Sequence, residues 1–125
     1  MSKIDKLDFG YNWNNKLRNR CFTTLRLRND AKYYKGARFE VLLQGYPKGK
    51  AKVVDIKHIR LDHINEWIAR IDTGYSARET KDVIKKMYKN KPQIDWNTQQ
   101  LSYLLLAWED QEKIPDLFEN NVIKK

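Results

Sequence analysis

The stretch Arg38-Phe-Glu-Val-Leu-Leu-Gln-Gly-Tyr-Pro-Lys-Gly-Lys-Ala-Lys-Val-Val-Asp-Ile-Lys-His-Ile59 decides the architecture. Residues 38–44 and 50–59 are two runs of strand-forming side chains, and Gly45-Tyr-Pro-Lys-Gly49 between them collects turn residues. Two strands joined by a Gly/Pro turn predict a β-hairpin. Upstream, Phe22-Thr-Thr-Leu-Arg-Leu-Arg28 alternates in polarity and predicts a further strand. Leu25 and Leu27 face one way along it, while Thr24, Arg26 and Arg28 face the other.

Two helices are expected downstream. Asp62 is placed to cap the first, with Ile64, Trp67, Ile68 and Ile71 on one apolar face. Gly74 breaks the pattern, and Ser76-Ala-Arg-Glu79 reads as a capping box opening the second helix. Its inner face is Thr80, Val83, Ile84, Met87 and Tyr88. Its outer face carries a positive ridge of Arg78, Lys81, Lys85 and Lys89. Asn90-Lys-Pro92 ends the helix. A last strand over 99–108 holds Leu101, Leu104, Leu105 and Leu106 without alternation, which predicts cover on both faces, as in a central strand or a closed barrel.

The order β–β–β–α–α–β implies an α+β protein with a curved or closed sheet and a helical pair inserted before its last strand. A Rossmann unit is excluded, because the strands arrive as a hairpin and no Gly-rich phosphate loop is present. The expected organisation is an N-terminal extension over 1–12 (a tail or a covering strand), a domain over 13–110 and a C-terminal extension over 111–125.

Composition narrows the function. The 125 residues are 41% hydrophobic and 12% aromatic, too apolar for a disordered chain despite 33% charge. No apolar run approaches the roughly 18 residues of a membrane span, and no basic-then-apolar leader opens the chain, so a cytoplasmic protein without membrane contact is expected. Cys21 is the single cysteine, and it and the two histidines are too few for a four-ligand transition-metal site. No cofactor and no metal are expected. Twenty-five Lys and Arg against 16 Asp and Glu leave +9, which favours a polyanionic partner: nucleic acid first, an acidic protein second.

On the 22–28 strand, Arg26 offers a planar fork of donors suited to a phosphate or a base edge, with the Thr24 hydroxyl on the same face. A solvated strand face with Arg26 paired to a carboxylate such as Glu40 is the plainer alternative. Cys21 reads as a small buried apolar residue or, less simply, as a nucleophile flanked by arginines. His58 and His63 stand five apart, not at helical metal-pair spacing, and read as structural or surface residues. Among the aromatics, Trp67 reads as core and Tyr75 as a stacking surface for a base. The 78–89 ridge is either a solvated helix face or a phosphate-tracking edge.

The strand 22–28, the hairpin with Lys35-Gly36 and Gly49-Lys-Ala-Lys-Val-Val-Asp-Ile56, and the segment IRLDHINEWIARIDTGYSARETKDVIKKMY together resemble the ASCH domain of the PUA-like superfamily, over about 13–108. The resemblance implies a small β-barrel with the helical pair inserted late and a cleft for RNA or nucleotides between them. The family's Gly-x-Lys-x-x-Glu-x-Arg corresponds to Asn19-Arg-Cys21-Phe-Thr-Thr24-Leu-Arg26, where the arginine alone is kept. A subgroup similar to acetylcytidine amidohydrolases uses a lysine, a threonine and a later glutamate. This chain has Thr24 at the threonine, Cys21 at the lysine and Asp72 near the glutamate. A thiol does not replace an ammonium, so a catalytic chain would need Lys16, Arg18 or Arg20 to reach in, and arginine is too basic to accept a proton.

The expectation is a non-catalytic module binding nucleic acid, RNA first, or nucleotides. Thr24, Arg26 and Arg28 would contact the ligand, Tyr75 would stack, and Lys48, Lys50, Arg78, Lys81 and Lys85 would supply the salt-sensitive part. The alternatives are a hydrolase of a modified cytidine using Thr24 and Asp72, and a basic protein-interaction domain.

Overall fold

In the computed structural model, which describes residues 4–109, five strands form one mixed sheet. In chain order these are β1 (Asp5–Phe9), β2 (Cys21–Leu27), β3 (Arg38–Leu43), β4 (Tyr46–Arg60) and β5 (Gln100–Trp108). They lie in the order β1-β3-β4-β5-β2, with β1 parallel to β3 and the other pairs antiparallel. Helices α1 (Glu66–Asp72) and α2 (Ala77–Met87) stand between β4 and β5 in sequence. The fold is therefore α+β with the helical pair before the last strand, as the order of elements implied.

The sheet curls until its two edges meet. Arg26 Nη2 on β2 donates to the Asp8 carbonyl on β1 at 3.1 Å, and the Phe9 and Phe22 rings touch at 6.0 Å between centroids. Inside the curl Leu7, Phe39, Val41, Val53, Leu104 and Leu106 are almost wholly buried. A second cluster, with Leu25, Leu61, Ile64, Ala69, Ile84 and Leu101, lies between the sheet and the helices. Central β5 explains its lack of alternation, since Leu104 and Leu106 face the curl while Leu101 and Tyr103 meet the helical side. Cover is not complete there, because Leu105 is exposed.

Several local expectations change. Of the two readings of 1–12, a tail or a covering strand, Asp5–Phe9 takes the second more fully than expected, as a strand hydrogen-bonded into the sheet with Leu7 and Phe9 in the core. The run over 111–125 lies outside the described residues. The hairpin turn is tighter than Gly45–Gly49: Gln44 (φ 52°) and Gly45 (φ 84°) make the reversal, with left-handed conformations at both positions. β4 then starts at Tyr46, and the register slips between Val41 and Leu42 so that Lys48 has no cross-strand partner.

Helix α1 starts later than Asp62. A short 3₁₀ turn over Leu61–His63 comes first, and Asn65 caps the helix by accepting from the Ile68 N–H at 2.9 Å. Seven residues make only two turns, and their buried face carries Ala69 and Asp72. Trp67, expected in the core, is consequently 79% exposed, and Ile71 is exposed beside it. The polar contact of Asp72 described below sets the rotation of α1 against its apolar period. The α2 capping box forms as expected, with Ser76 Oγ accepting from Glu79 N–H at 3.1 Å and Glu79 returning the bond at 3.0 Å. Met87 departs from the expected inner face and is exposed.

Because β1 supplies fully buried side chains, Leu7→Ala should destabilise the fold by about 2–5 kcal/mol, read from urea unfolding. A loss below about 1 kcal/mol would mean that β1 is dispensable.

Candidate functional site

After β1 the chain turns sharply, because Asn14 (φ 57°) and Asn15 (φ 55°) adopt the left-handed conformation that asparagine tolerates better than most residues. This turn, Trp13–Arg18, carries Lys16 into the interior, where its residue exposure is 3%. Lys16 Nζ lies 2.9 Å from Asp72 Oδ1, at the end of α1. The same oxygen accepts from Thr23 Oγ1 at 2.8 Å. One carboxylate oxygen thus joins the 13–18 turn, β2 and α1.

Thr24 and Arg26 occupy the opposite face of β2, beside the seam. Arg26 Nε donates to Thr24 Oγ1 at 3.0 Å, and its guanidinium lies 4.7 Å from the Phe9 ring centroid, stacked as a cation on an aromatic face. Lys16 Nζ is 5.5 Å from the same ring. Together Asp8, Trp13, Lys16, Thr24, Arg26 and Asp72, with Val83 and Met87 of α2 among the other walls, line a pocket of about 50 Å³ at the seam. That volume is room for one or two water molecules at about 30 Å³ each, so a small polar group fits, not a large one.

The electrostatics favour an acceptor-rich or anionic group. Burial pushes the Lys16 ammonium below the usual lysine range, with the neighbouring Arg26 adding to the effect and Asp72 opposing it. The Thr24 oxygen accepts from Arg26, which leaves its own proton available to donate. Two cationic donors and a hydroxyl therefore converge beside one carboxylate. Among the described residues no group of three or more His, Cys, Asp or Glu is placed to hold a metal ion.

Thr24, Arg26 and Asp72 line one pocket, and Tyr75 packs against its wall residue Trp13 at 5.7 Å between ring centroids. Arg26 is not paired to Glu40: its guanidinium donates to Thr24 and to the Asp8 carbonyl. Arg28 is turned away, donating from Nε and Nη2 to the two Asp30 carboxylate oxygens at 2.8 and 3.0 Å and from Nη1 to Gln100. Lys48 and Lys50 belong to β4 and do not line the pocket. At 100° per residue, Arg78, Lys81 and Lys85 project from the side of α2 away from Val83 and Met87. Cys21, expected to be buried, is exposed and lines a separate groove on the outer sheet face with Arg20, Arg38 and Lys52. His58 faces Ser102 Oγ at 3.3 Å and His63 accepts from the Arg60 N–H at 3.2 Å, both structural contacts.

The residue most consequential for the site and absent from the sequence motif is Lys16. Its spacing from Thr24 matches no family pattern, and the signal that places it is the Asn14-Asn15 doublet that folds the turn inward.

Fold and site define a class: a small α+β protein whose curled five-stranded sheet encloses a basic pocket between its edge strands. The crystal structure of protein EF3133 from Enterococcus faecalis V583, described under the family model DUF984, has a similar fold, with a TM-score of 0.64 over 87% of this chain and 82% of that one. At 10% identity the likeness concerns the fold alone. No protein-family model matches the chain, and no curated protein is similar to it. No helix among the described residues is long and apolar enough to cross a membrane.

Two measurements follow from the buried pair. Lys16→Met should cost about 3–5 kcal/mol at neutral pH, because it strands a buried carboxylate, while Lys16→Met with Asp72→Leu should cost less than the single change. The Lys16 ammonium, followed by ¹⁵N NMR, should titrate below the ordinary lysine value. Between those two values the unfolded chain holds more protons than the folded one, so this group's contribution to stability improves as pH rises through that window. A Lys16 midpoint at or above the ordinary value would contradict the assigned environment.

Proposed function

We propose that the protein binds nucleic acid, RNA first, or nucleotides through the seam pocket, as an ASCH-type member of the PUA-like superfamily. The observation that carries this reading is the convergence of Arg26, Lys16 and the Thr24 hydroxyl in one partly buried pocket of a +9 chain. A guanidinium stacked on Phe9 and anchored through Nε and Nη2 is held in a fixed plane, which suits a phosphate oxygen or a base-edge acceptor. The exposed Lys48, Lys50 and Lys85 and the half-buried Lys81 would add attraction without selectivity.

The test is fluorescence anisotropy with short labelled single-stranded RNA, duplex RNA and single-stranded DNA at two salt concentrations. Binding should weaken steeply with salt, and Arg26→Ala should cost about 1.5–3 kcal/mol, roughly 10- to 150-fold in Kd. Affinity indifferent to both would refute the reading.

A second reading gains from Lys16. The amidohydrolase-like subgroup needs a lysine near the threonine, and Cys21 does not supply it; Lys16 enters the same pocket from the preceding turn, held by Asp72. In this reading Thr24 Oγ attacks the amide carbonyl of a modified cytidine as its proton passes to neutral Lys16. The departing amine takes that proton back, and water releases the acyl group from Thr24. A lowered Lys16 pKa raises the neutral fraction that such a base requires. Turnover of acetylcytidine that disappears in both Thr24→Ala and Lys16→Met, with the fold intact by circular dichroism, would establish it. Absence of turnover in the wild type would dismiss it and leave the binding reading in place.

A further inference from the structure

We infer that Tyr11, Trp13 and Tyr75 form a stacking platform at the mouth of the seam pocket, and that the ligand is a single-stranded nucleic acid running past the pocket rather than a free nucleotide enclosed by it. This rests on the nucleic-acid reading above and adds the form of the ligand and the side chains that grip it.

Volume makes the first argument. A cavity of about 50 Å³ is less than a pyrimidine ring requires, so a base meeting Arg26 leaves most of its ring outside the pocket. What it meets there is aromatic. Trp13 lines the pocket, and its ring centroid lies 4.7 Å from that of Tyr11 and 5.7 Å from that of Tyr75. The interplanar angles are 65° and 79°, so these contacts are edge-to-face and leave broad ring faces unused. Tyr11 is 54% exposed and Tyr75 is 42% exposed, although burying such rings is favourable. Three rings joined through Trp13 give space for more than one base, and stacking tolerates any base because each has a π-face.

The platform is also held rigid. Asn14, next to Trp13, donates from Nδ2 to the Arg70 and Ile71 carbonyls at 3.2 and 3.3 Å. Its Oδ1 lies 3.1 Å from where a Cβ on Gly74 would stand, and Gly74 has φ 86°, so glycine is needed there on both counts. That contact fixes Trp13 of one segment against Tyr75 of another before any ligand arrives, which lowers the ordering cost of binding.

The experiment is anisotropy with a short labelled single strand of RNA and one of DNA, with cytidine and uridine monophosphates as competitors. Tyr75→Ala and the double variant Tyr11→Ala/Tyr75→Ala should weaken strand binding, by roughly five- to hundredfold per lost base stack. Tyr75→Phe should bind as the wild type does, and mononucleotide competition should not change in Tyr75→Ala. A strand that depends on Arg26 but binds the double tyrosine variant normally overturns the platform and leaves the nucleic-acid reading standing. Equal losses in Tyr75→Phe and Tyr75→Ala would also overturn it, by showing that the ring does not act through its face. Failure of the wild type to bind any strand overturns both.

Discussion

One oxygen atom holds the site together. Asp72 Oδ1 accepts from Lys16 Nζ and from Thr23 Oγ1, and by doing so pins the end of α1 to β2 and to the turn that follows β1. Burying an ammonium and a carboxylate costs several kcal/mol each before their attraction and hydrogen bonds are counted. A hydrophobic pair of similar shape would hold these segments at least as well, so stability alone gives little reason for this choice. What the ion pair adds is direction. It orients Lys16 beside the pocket that Thr24 and Arg26 also line, and it turns α1 so that Trp67 faces outward.

The charge of the chain divides accordingly. Lys16 and Arg26 are fixed at the seam by geometry, one by burial and one by its stack on Phe9. Arg28, Arg38 and Arg70 are committed to Asp30, Glu109 and Glu66 at the surface. The hairpin and α2 lysines stand on other faces. In the proposed reading the basic surplus supplies long-range attraction over much of the surface, and Lys16 and Arg26 at the seam supply the oriented donors.

Sequence reading recovered the parts of the fold written in local pattern. The 38–59 hairpin, the β2 alternation, the Ser76 capping box and the position of β5 all follow from periods and turn residues, because each is decided by neighbours in the chain. Thr24 and Arg26 were legible as one strand face, whereas Asp72 entered only through the resemblance to ASCH domains. What escaped was decided across the chain. β1 shows no period because a five-residue parallel edge strand has little room for one. Trp67 looked buried because α1 was read from its apolar spacing, whereas a polar contact with Lys16 and Thr23 sets its rotation. Lys16 was one of three basic residues offered to reach in, and only the Asn14-Asn15 turn, which folds it inward, singles it out from Arg18 and Arg20. Cys21, at the very start of an edge strand, lacks the neighbours that would bury it.

The central claim is that ligand recognition occurs at the seam between β1 and β2 and not on the lysine-rich outer surfaces. A ¹H–¹⁵N NMR titration with a short single-stranded RNA tests it residue by residue. The account expects the largest shifts at the amides of Trp13, Lys16, Thr24 and Arg26 and at the Trp13 indole. Shifts confined to Lys48, Lys50, Lys81 and Lys85, with the seam unmoved, would contradict it.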